Sequence, residues 1–583
     1  MVEKNRSRKM RFLFLLRLTA ALSLFACAPT QSENAKFEAL ANNYIERLLA
    51  VYPEWATNLG DHRYDDRLND YSTAGIETRL NLHRAYLDSL GSINVARLSQ
   101  VNRIDHEIMK HNVQRMIFEL DTLRGYEWNP RVYNAGGAIY DLIARDFAPL
   151  KDRLLHVKGR LQEIPDRIVF AKMNLKNPPR VHTETAILQN KGTITLIREE
   201  LKTFLDQVPE LKSDVEPVQK RAVEALESYG LWLEEELLLR SDGDFRLGDD
   251  KYRKKLRYAL ASSLSKEEIL QRAQAELKTT QELIYETALP LFRKFYPGQK
   301  DPVKLADRKH VVKSVLDKLA DDRPDNETIV SFARIYLKEC TDFVRAHDLV
   351  TIPTEPIELI VMPEYQRGVA VAHCDAPGPF EEDAKTFYSI SPTPDDWSKE
   401  RVTSFFREYN KYMLRNLSVH EGMPGHYLQI MHSNKFRAPT MIRAIFNSGT
   451  FIEGWAVYSE QLMVEKGFGG PEVKMQQLKM LLRVIINAIL DQKIHTAGMT
   501  EREAIALMMN EGFQEEGEAA GKWRRAVLTS AQLSTYFVGI SEVNDIREAY
   551  EAKFGTGNLK AMHDRVLSFG SPPPKFIKEL VGI

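Results

Sequence analysis

At 583 residues the chain is too long for one small core and allows several domains. Its 43% hydrophobic and 28% charged residues are ordinary globular proportions, which excludes wholesale disorder. A formal net charge of −1, with no long basic block, excludes nucleic acid as the main partner.

Residues 1–27 stand apart from the rest. Lys4, Arg6, Arg8, Lys9 and Arg11 precede an apolar run from Phe12 to Ala26, broken by Arg17, Thr19 and Ser23. This is the pattern of a secretory signal, too short and too interrupted for a membrane span. Leu24-Phe25-Ala26-Cys27 resembles a bacterial lipobox, in which Cys27 is lipidated and becomes the mature N-terminus. Phe25 is bulky for its position, so a plain signal cut near Ala28 is the alternative. Both readings place the protein in the bacterial cell envelope, as a periplasm-facing lipoprotein anchored to the membrane or as a secreted protein. Loss of residues 1–26 leaves a formal charge of about −6. Only Cys340 and Cys374 then remain, too few for a disulfide framework; they pair in an oxidising periplasm or are simply buried.

From 33 to 350 the periodicity is helical and reads as an N-terminal helical lobe. Phe37, Leu40, Tyr44, Leu48 and Leu49 recur at helical spacing, as do Leu154, Val157, Leu161, Ile164 and Ile168. Breaks fall at Tyr52-Pro53, Asn177-Pro178-Pro179 and Tyr296-Pro297-Gly298, and Pro178 to Gly192 reads as a connection between long helices. Between 355 and 392 the period changes. Residues 357–361, 368–372 and 386–391 read as short strands separated by proline and glycine. From Trp397 helices return, and residues 351–583 read as the catalytic region.

Val419-His420-Glu421-Gly422-Met423-Pro424-Gly425-His426 carries two imidazoles and an adjacent carboxylate. Neutral imidazole is a preferred zinc ligand, and a neighbouring carboxylate can take a proton from water. The usual metallopeptidase pair is four residues apart; here the spacing is six, about 240° of rotation on a continuous helix. Pro424-Gly425 removes the conflict. Proline disfavours helix before it and glycine frees the backbone, so one helix should end near Met423 and another start near Pro424, turning His426 toward His420. A third ligand is expected from the block Glu453-Gly454-Trp455-Ala456-Val457-Tyr458-Ser459-Glu460, which offers two carboxylates seven residues apart. Both share one helix face, in apolar surroundings where paired carboxylates need cations.

These two blocks resemble domain-of-unknown-function family 885, a bacterial lineage similar to gluzincin zinc metallopeptidases and, distantly, to thimet oligopeptidase, angiotensin-converting enzyme and carboxypeptidase Taq. The resemblance extends from about Tyr44 to the C-terminus. It implies zinc held by His420, His426 and Glu453, with Glu421 as general base. It implies a mainly α, two-lobed, neurolysin-like architecture walling a channel, with a small β-sheet beside the active-site helix. In gluzincin folds one edge of that sheet pairs with extended substrate, and the last strand, 386–391, is the candidate edge. Asp491 and His495, at i, i+4 near the end of a helix over about 471–495, match the family pattern; a supporting or substrate role and a surface pair both remain open. Arg525, Gln532, Tyr536 and Gly539 match another block, where the family usually has Pro-Gly in place of Ser530-Ala531. Tyr536 or Arg525 is expected to stabilise an oxyanion. His563 matches a further block with no evident mechanism.

The expected function is zinc-dependent hydrolysis of small peptides in the cell envelope. The alternatives are a carboxypeptidase, in which Arg525 or Lys522 receives the substrate carboxylate, and a lipid-anchored binding or assembly protein without catalysis. The intact set of base and ligands disfavours the last, because binding alone needs no base.

Overall fold

The computed structural model describes residues 32–299, 304–362, 371–381 and 385–583. The signal run with Cys27, and most of the expected strand 368–372, lie outside them. Helices of seven or more residues lead from Glu33 to Ala346: α1 (Glu33–Val51), α2 (Pro53–Leu59), α3 (Thr73–Gly91), α4 (Gln100–Ile117), α5 (Gly136–Ala144), α6 (Leu150–Asn174), α7 (Arg180–Thr195), α8 (Lys212–Trp232), α9 (Gly248–Leu260), α10 (Lys266–Phe295), α11 (Leu305–Leu319) and α12 (Ile329–Ala346). Their starts follow capping chemistry. Ser32, Ser72 and Ser99 accept backbone N–H groups at the openings of α1, α3 and α4, and Ser265 with Glu268 forms a capping box on α10. Among the described residues no helix is long and apolar enough to cross a membrane.

The segment expected to connect two helices, 178–192, is itself largely helix. Pro179 precedes the first turn of α7, where a missing N–H costs nothing. The buried face of α7 includes His182, Thr183, Asn190 and Thr193 beside Ala186 and Ile187. Three of these polar groups find partners on neighbouring segments: Thr183 with Ser241, Asn190 with the Leu226 carbonyl, Thr193 with Asn134. Polar residues on the buried face dilute the apolar stripe that marks the other helices.

Three strands follow: β1 (Ile357–Val361), β2 (Ala372–Asp375) and β3 (Thr386–Ile390). The order is β1-β3-β2, with β1 parallel and β2 antiparallel to β3. Of the expected second strand, 368–372, Ala372 lies in β2, which continues three residues further, to Asp375. The expected edge strand is also displaced: β3 is central, and β2 is an edge, with the Cys374 amide turned to Glu421. The crossover that returns the chain between β1 and β2 decides this order, and hydropathy does not record it.

The remaining helices are α13 (Lys399–Glu408), α14 (Lys411–Glu421), α15 (His426–Lys435), α16 (Gly449–Glu465), α17 (Gly470–Ala497), α18 (Glu501–Gly512), α19 (Glu516–Leu528), α20 (Ser534–Phe554), α21 (Leu559–Leu567) and α22 (Pro574–Val581). The fold is thus mostly helical with one small sheet. One core is built from α5, α6, α7 and α8, including Ile139, Leu161, Ile164 and Leu226. Another lies beneath α14, α15 and α16, with Val419, Phe451, Trp455, Leu462, Ile546 and Ile577.

Helices α16 and α20 cross in backbone contact. A Cβ on Gly454 would stand 2.4 Å from the Gly539 carbonyl carbon, and one on Gly539 would stand 2.3 Å from the Thr450 oxygen. No side chain fits between them, so the crossing fixes Glu453 and Tyr536 relative to each other. Gly454→Ala gains about 1 kcal/mol of helix propensity but forces the helices apart, and such overpacking costs about 1–3 kcal/mol. Because the clash is with backbone, which yields least, the cost lies at the upper end of that range and thermal unfolding should show a net loss of about 2 kcal/mol; a variant as stable as the parent would contradict this crossing.

Candidate metal centre

Asn410 caps α14 through the Tyr412 and Met413 N–H groups, and α14 ends at Glu421, two residues before the expected boundary. A four-residue turn follows, and His426 opens α15. The turn is tightly held. The Gly422 and Met423 N–H groups donate to the Ser418 carbonyl and the Gly425 N–H to the Val419 carbonyl. The Pro424 carbonyl, next to a cis Met423–Pro424 peptide, accepts from Trp455 Nε1 at 2.9 Å and Ser459 Oγ at 3.4 Å. A Cβ at Gly425 would lie 2.0 Å from the His420 oxygen, so only glycine permits this return of the chain.

The turn brings the His420 and His426 rings to a centroid separation of 4.6 Å, nearly perpendicular. Helix α16, capped by Ser448, lays Glu453 against both: Oε2 lies 3.6 Å from His420 Nε2 and 3.5 Å from His426 Nε2. One ligand atom from each of the three lies within 4.8 Å of the others. Donors on a tetrahedron with bonds of about 2.0–2.1 Å stand about 3.4 Å apart, close to these separations. Glu453 Oε2 is buried and has no hydrogen-bond partner. A buried orphan carboxylate oxygen between two imidazole nitrogens fits a divalent cation.

The surroundings tune these groups. His420 Nδ1–H donates to Glu460 Oε1 at 2.7 Å, leaving Nε2 as the free lone pair, and Glu460 also accepts from Asn416 Nδ2 at 2.5 Å. This carboxylate–histidine arrangement orients metal-ligating imidazoles. Burial opposes charge on His420, but Glu453 and Glu460 outweigh it and hold the imidazole well above its ordinary value. Burial likewise opposes charge on Glu453, yet the two imidazoles hold its carboxyl far below the usual range. Without a cation, protons fill the role of positive charge.

Glu421 is buried, and its Oε2 accepts the Cys374 N–H of β2 at 3.0 Å. The far end of β2 is tied to the N-terminal helices. Arg145, after α5, pairs with Asp375, with Glu381 at 3.0 Å and with the Ala376 carbonyl at 2.9 Å, and the Phe380 N–H donates to the Leu59 carbonyl of α2. Cys374 and Cys340 are free thiols.

Tyr536, on the first turn of α20, accepts from Arg525 Nη2 at 3.0 Å; the same guanidinium atom donates to Gln532. Burial, then the charge of Glu453, push the phenol above its ordinary value, while Arg525 opposes. Tyr536 and Arg525 therefore stand together within electrostatic reach of the triad. Asp491 and His495 do not join it, nor do they lie at the surface. Asp491 accepts from the Ala531 N–H, the Ser534 N–H and Ser534 Oγ, and His495 Nε2–H donates to the Ala526 carbonyl. Both hold the segment that delivers Tyr536. Ala531, where the family usually has glycine, sits at φ +64°, in the left-handed region. His563 acquires a role: Nδ1–H donates to the Leu349 carbonyl at 2.7 Å, so Nε2 accepts from Tyr458 on α16 at 2.8 Å, and burial lowers its pKa to about 4. Sequence reasoning missed Asn416, the Cys374 amide and Trp455. Asn416 lies four residues before His420, on the same helix face, which was the available signal.

The chain belongs to the family of bacterial proteins of unknown function DUF885, whose profile matches residues 53–581. No curated protein matches it significantly. A protein of unknown function from Shewanella oneidensis, described as a candidate lipoprotein, superimposes with a TM-score of 0.80 at 33% identity, over 94% of this chain and all of that one. A candidate lipoprotein from Colwellia psychrerythraea gives 0.78 at 18% identity, over 95% of this chain and 99% of that one. An M32 carboxypeptidase from Deinococcus radiodurans reaches only 0.33 at 10% identity over 94% of each chain, too slight a likeness to bear on fold or function.

Replacing Glu460 by Gln keeps the shape but removes the charge behind His420. Affinity for added Zn²⁺, measured by competition with a chelating dye, should fall about 10–100-fold with the melting temperature little changed. Affinity of the parent should also drop as pH is lowered, because protons compete for the imidazoles. His420 holds its proton above the ordinary imidazole range, so binding should still be strengthening above about pH 7. A flat profile between about pH 6 and 8 would contradict the ligand set.

Proposed function

We propose that this family member is a zinc-dependent peptidase of the bacterial cell envelope. The observation that carries the reading is the buried Glu453 oxygen left without a partner between two imidazoles, with the Glu421 carboxylate next to one of them in sequence. His420, His426 and Glu453 would hold the ion. Zinc is the best match to a set of two imidazoles and one carboxylate with an open position. When bound it supplies Lewis acidity toward a carbonyl and lowers the pKa of water.

The protein groups then have separate tasks. Glu421, steadied by the Cys374 amide, takes the proton of the attacking water and passes it to the departing amine. The Tyr536 hydroxyl, oriented by Arg525, donates to the oxyanion as the scissile carbonyl becomes tetrahedral. Strand β2 is an edge of its sheet. The Ser391 N–H donates to the Val371 carbonyl, so alternation turns the backbone groups of Ala372 and Cys374 outward; the Cys374 N–H is taken by Glu421, which leaves the Ala372 groups and the Cys374 carbonyl for an extended peptide to pair with. On this reading the helices through Ala346 form one wall of a substrate channel and residues 351–583 the other. The signal run, Cys27 and the description of two structural relatives as candidate lipoproteins support a membrane-anchored, periplasm-facing protein. Cys27→Ser should then move the protein from the membrane to the soluble fraction.

Two substitutions separate chemistry from folding. Glu421→Gln cannot act as base and should retain about one zinc per chain while turnover of a peptide mixture falls about 10²–10⁴-fold. Tyr536→Phe keeps the ring and should lower kcat about a hundredfold with zinc content and melting temperature unchanged. Full turnover by Glu421→Gln would remove it as the base. Unchanged kcat with lowered stability in Tyr536→Phe would make the tyrosine a packing residue.

A further inference from the structure

Behind Tyr536 lies a buried charge network that is not neutral. Glu408, 3% exposed at its side chain, receives Lys479 at 2.7 Å and pairs with Arg483. Arg483 reaches Glu518 at 3.5 Å, and Glu518 reaches Lys522 only at 3.9 Å. Arg525 lies three residues after Lys522 on α19, so the two cations share a helix face. Arg525 itself donates to Gln532 and Tyr536, both neutral, and forms no ion pair with a carboxylate of the described residues. Lys479, Arg483 and Lys522 thus face Glu408 and Glu518, and Arg525 stands exposed beside them. Among these buried groups the protein supplies one fewer negative charge than positive ones, and Arg525 adds a further, exposed cation at the edge of the network.

Such an excess costs free energy unless an anion completes it. Burial, together with the neighbouring Arg483 and Arg525, lowers the Lys522 pKa to about 8 against the pull of Glu518. At neutral pH the amine is still charged, and a bound anion would relieve it. Arg525 offers the matching hardware. Its Nη2 is occupied by two neutral acceptors, while Nη1 and Nε bond to no other group among the described residues and can form charge-assisted hydrogen bonds to a carboxylate. Its neighbour Tyr536 senses the Glu453 charge, so an anion seated here is held near the reacting end of the site.

We propose that Arg525 and Lys522 form a carboxylate-binding subsite next to the metal centre, which receives a carboxylate of the substrate and selects peptides presenting one. The inference rests on the peptidase reading and deepens it: a C-terminal carboxylate held here makes the enzyme act from the C-terminal end of its substrates, and an acidic side chain held here sets side-chain preference instead.

The test uses zinc-loaded Glu421→Gln protein as a trap, so that binding is read without turnover. It is incubated with a defined peptide pool bearing free C-termini and the same pool, isotopically labelled, as C-terminal amides. Retained peptides are quantified by mass spectrometry. Free acids should be enriched about tenfold or more over their amides. Adding Lys522→Met or, separately, Arg525→Gln should abolish the enrichment with zinc content and melting temperature unchanged. Enrichment of amides only when they carry Asp or Glu, lost in the same variants, also upholds the subsite and assigns it to a side chain. Equal retention of acids and amides, or enrichment that survives both substitutions, overturns it. Cleavage of the pools by the parent protein is measured separately, so a failed peptidase reading shows as absent cleavage whatever the trap retains.

Discussion

The structure depends on the approach of Gly425 to the carbonyl of His420. Two histidines six residues apart cannot serve one ion from a continuous helix, because the rotation points them apart. The chain resolves this by stopping α14 at Glu421, turning over four residues and restarting at His426. The turn is so tight that a single methyl group at Gly425 would collide with the His420 and Val419 carbonyls. Trp455 and Ser459 of α16 grasp its outer carbonyl. The helix that contributes Glu453 therefore also shapes the turn that positions both imidazoles, and the triad forms as one unit.

The same economy of position recurs around the triad. Glu460, two turns after Glu453, backs His420. Gly454, immediately after Glu453, lets α20 close in and carry Tyr536 toward the site. Asp491, His495 and Lys255, which donates to Ser530 at 2.5 Å, hold the segment 526–534 in front of Tyr536. Arg131, from the N-terminal helices, donates to the Leu528 carbonyl of that segment. With Arg145, which pairs with Asp375 of β2, it ties both Glu421 and Tyr536 to the first half of the chain. The N-terminal helices are thus part of how the site is held, and removing them would leave β2 and segment 526–534 without these anchors.

Much of the centre was legible in the sequence because its chemistry restricts residue types. Two imidazoles, an adjacent carboxylate and a helix breaker between them leave few alternatives, and a second acidic helix at a workable distance completes the pattern. Which of Glu453 and Glu460 stands between the two imidazoles was not legible from spacing, since seven residues place both on one face; the family resemblance made that choice. Segment 178–192 hid its helix because its buried face carries His182, Thr183, Asn190 and Thr193, which erase the hydrophobic period. The strand order depends on a crossover that local pattern does not encode, so β3 passed for the edge that β2 occupies. The Cys374 amide was invisible for a different reason: it is a backbone donor, common to nearly every residue, and only the fold aims it at Glu421. Asp491 and His495 had the right face but not the right neighbour, since the loop that returns to them lies about 40 residues later in the chain.

The central claim is that His420, His426 and Glu453 share one zinc ion. Anomalous diffraction from crystals of the metal-loaded protein, recorded on either side of the zinc absorption edge, tests it most directly. The account predicts one strong peak, present only above the edge, within about 2.0–2.2 Å of a nitrogen of each imidazole and an oxygen of Glu453. A peak that lies elsewhere, or none at that position in protein shown to contain zinc, would contradict it.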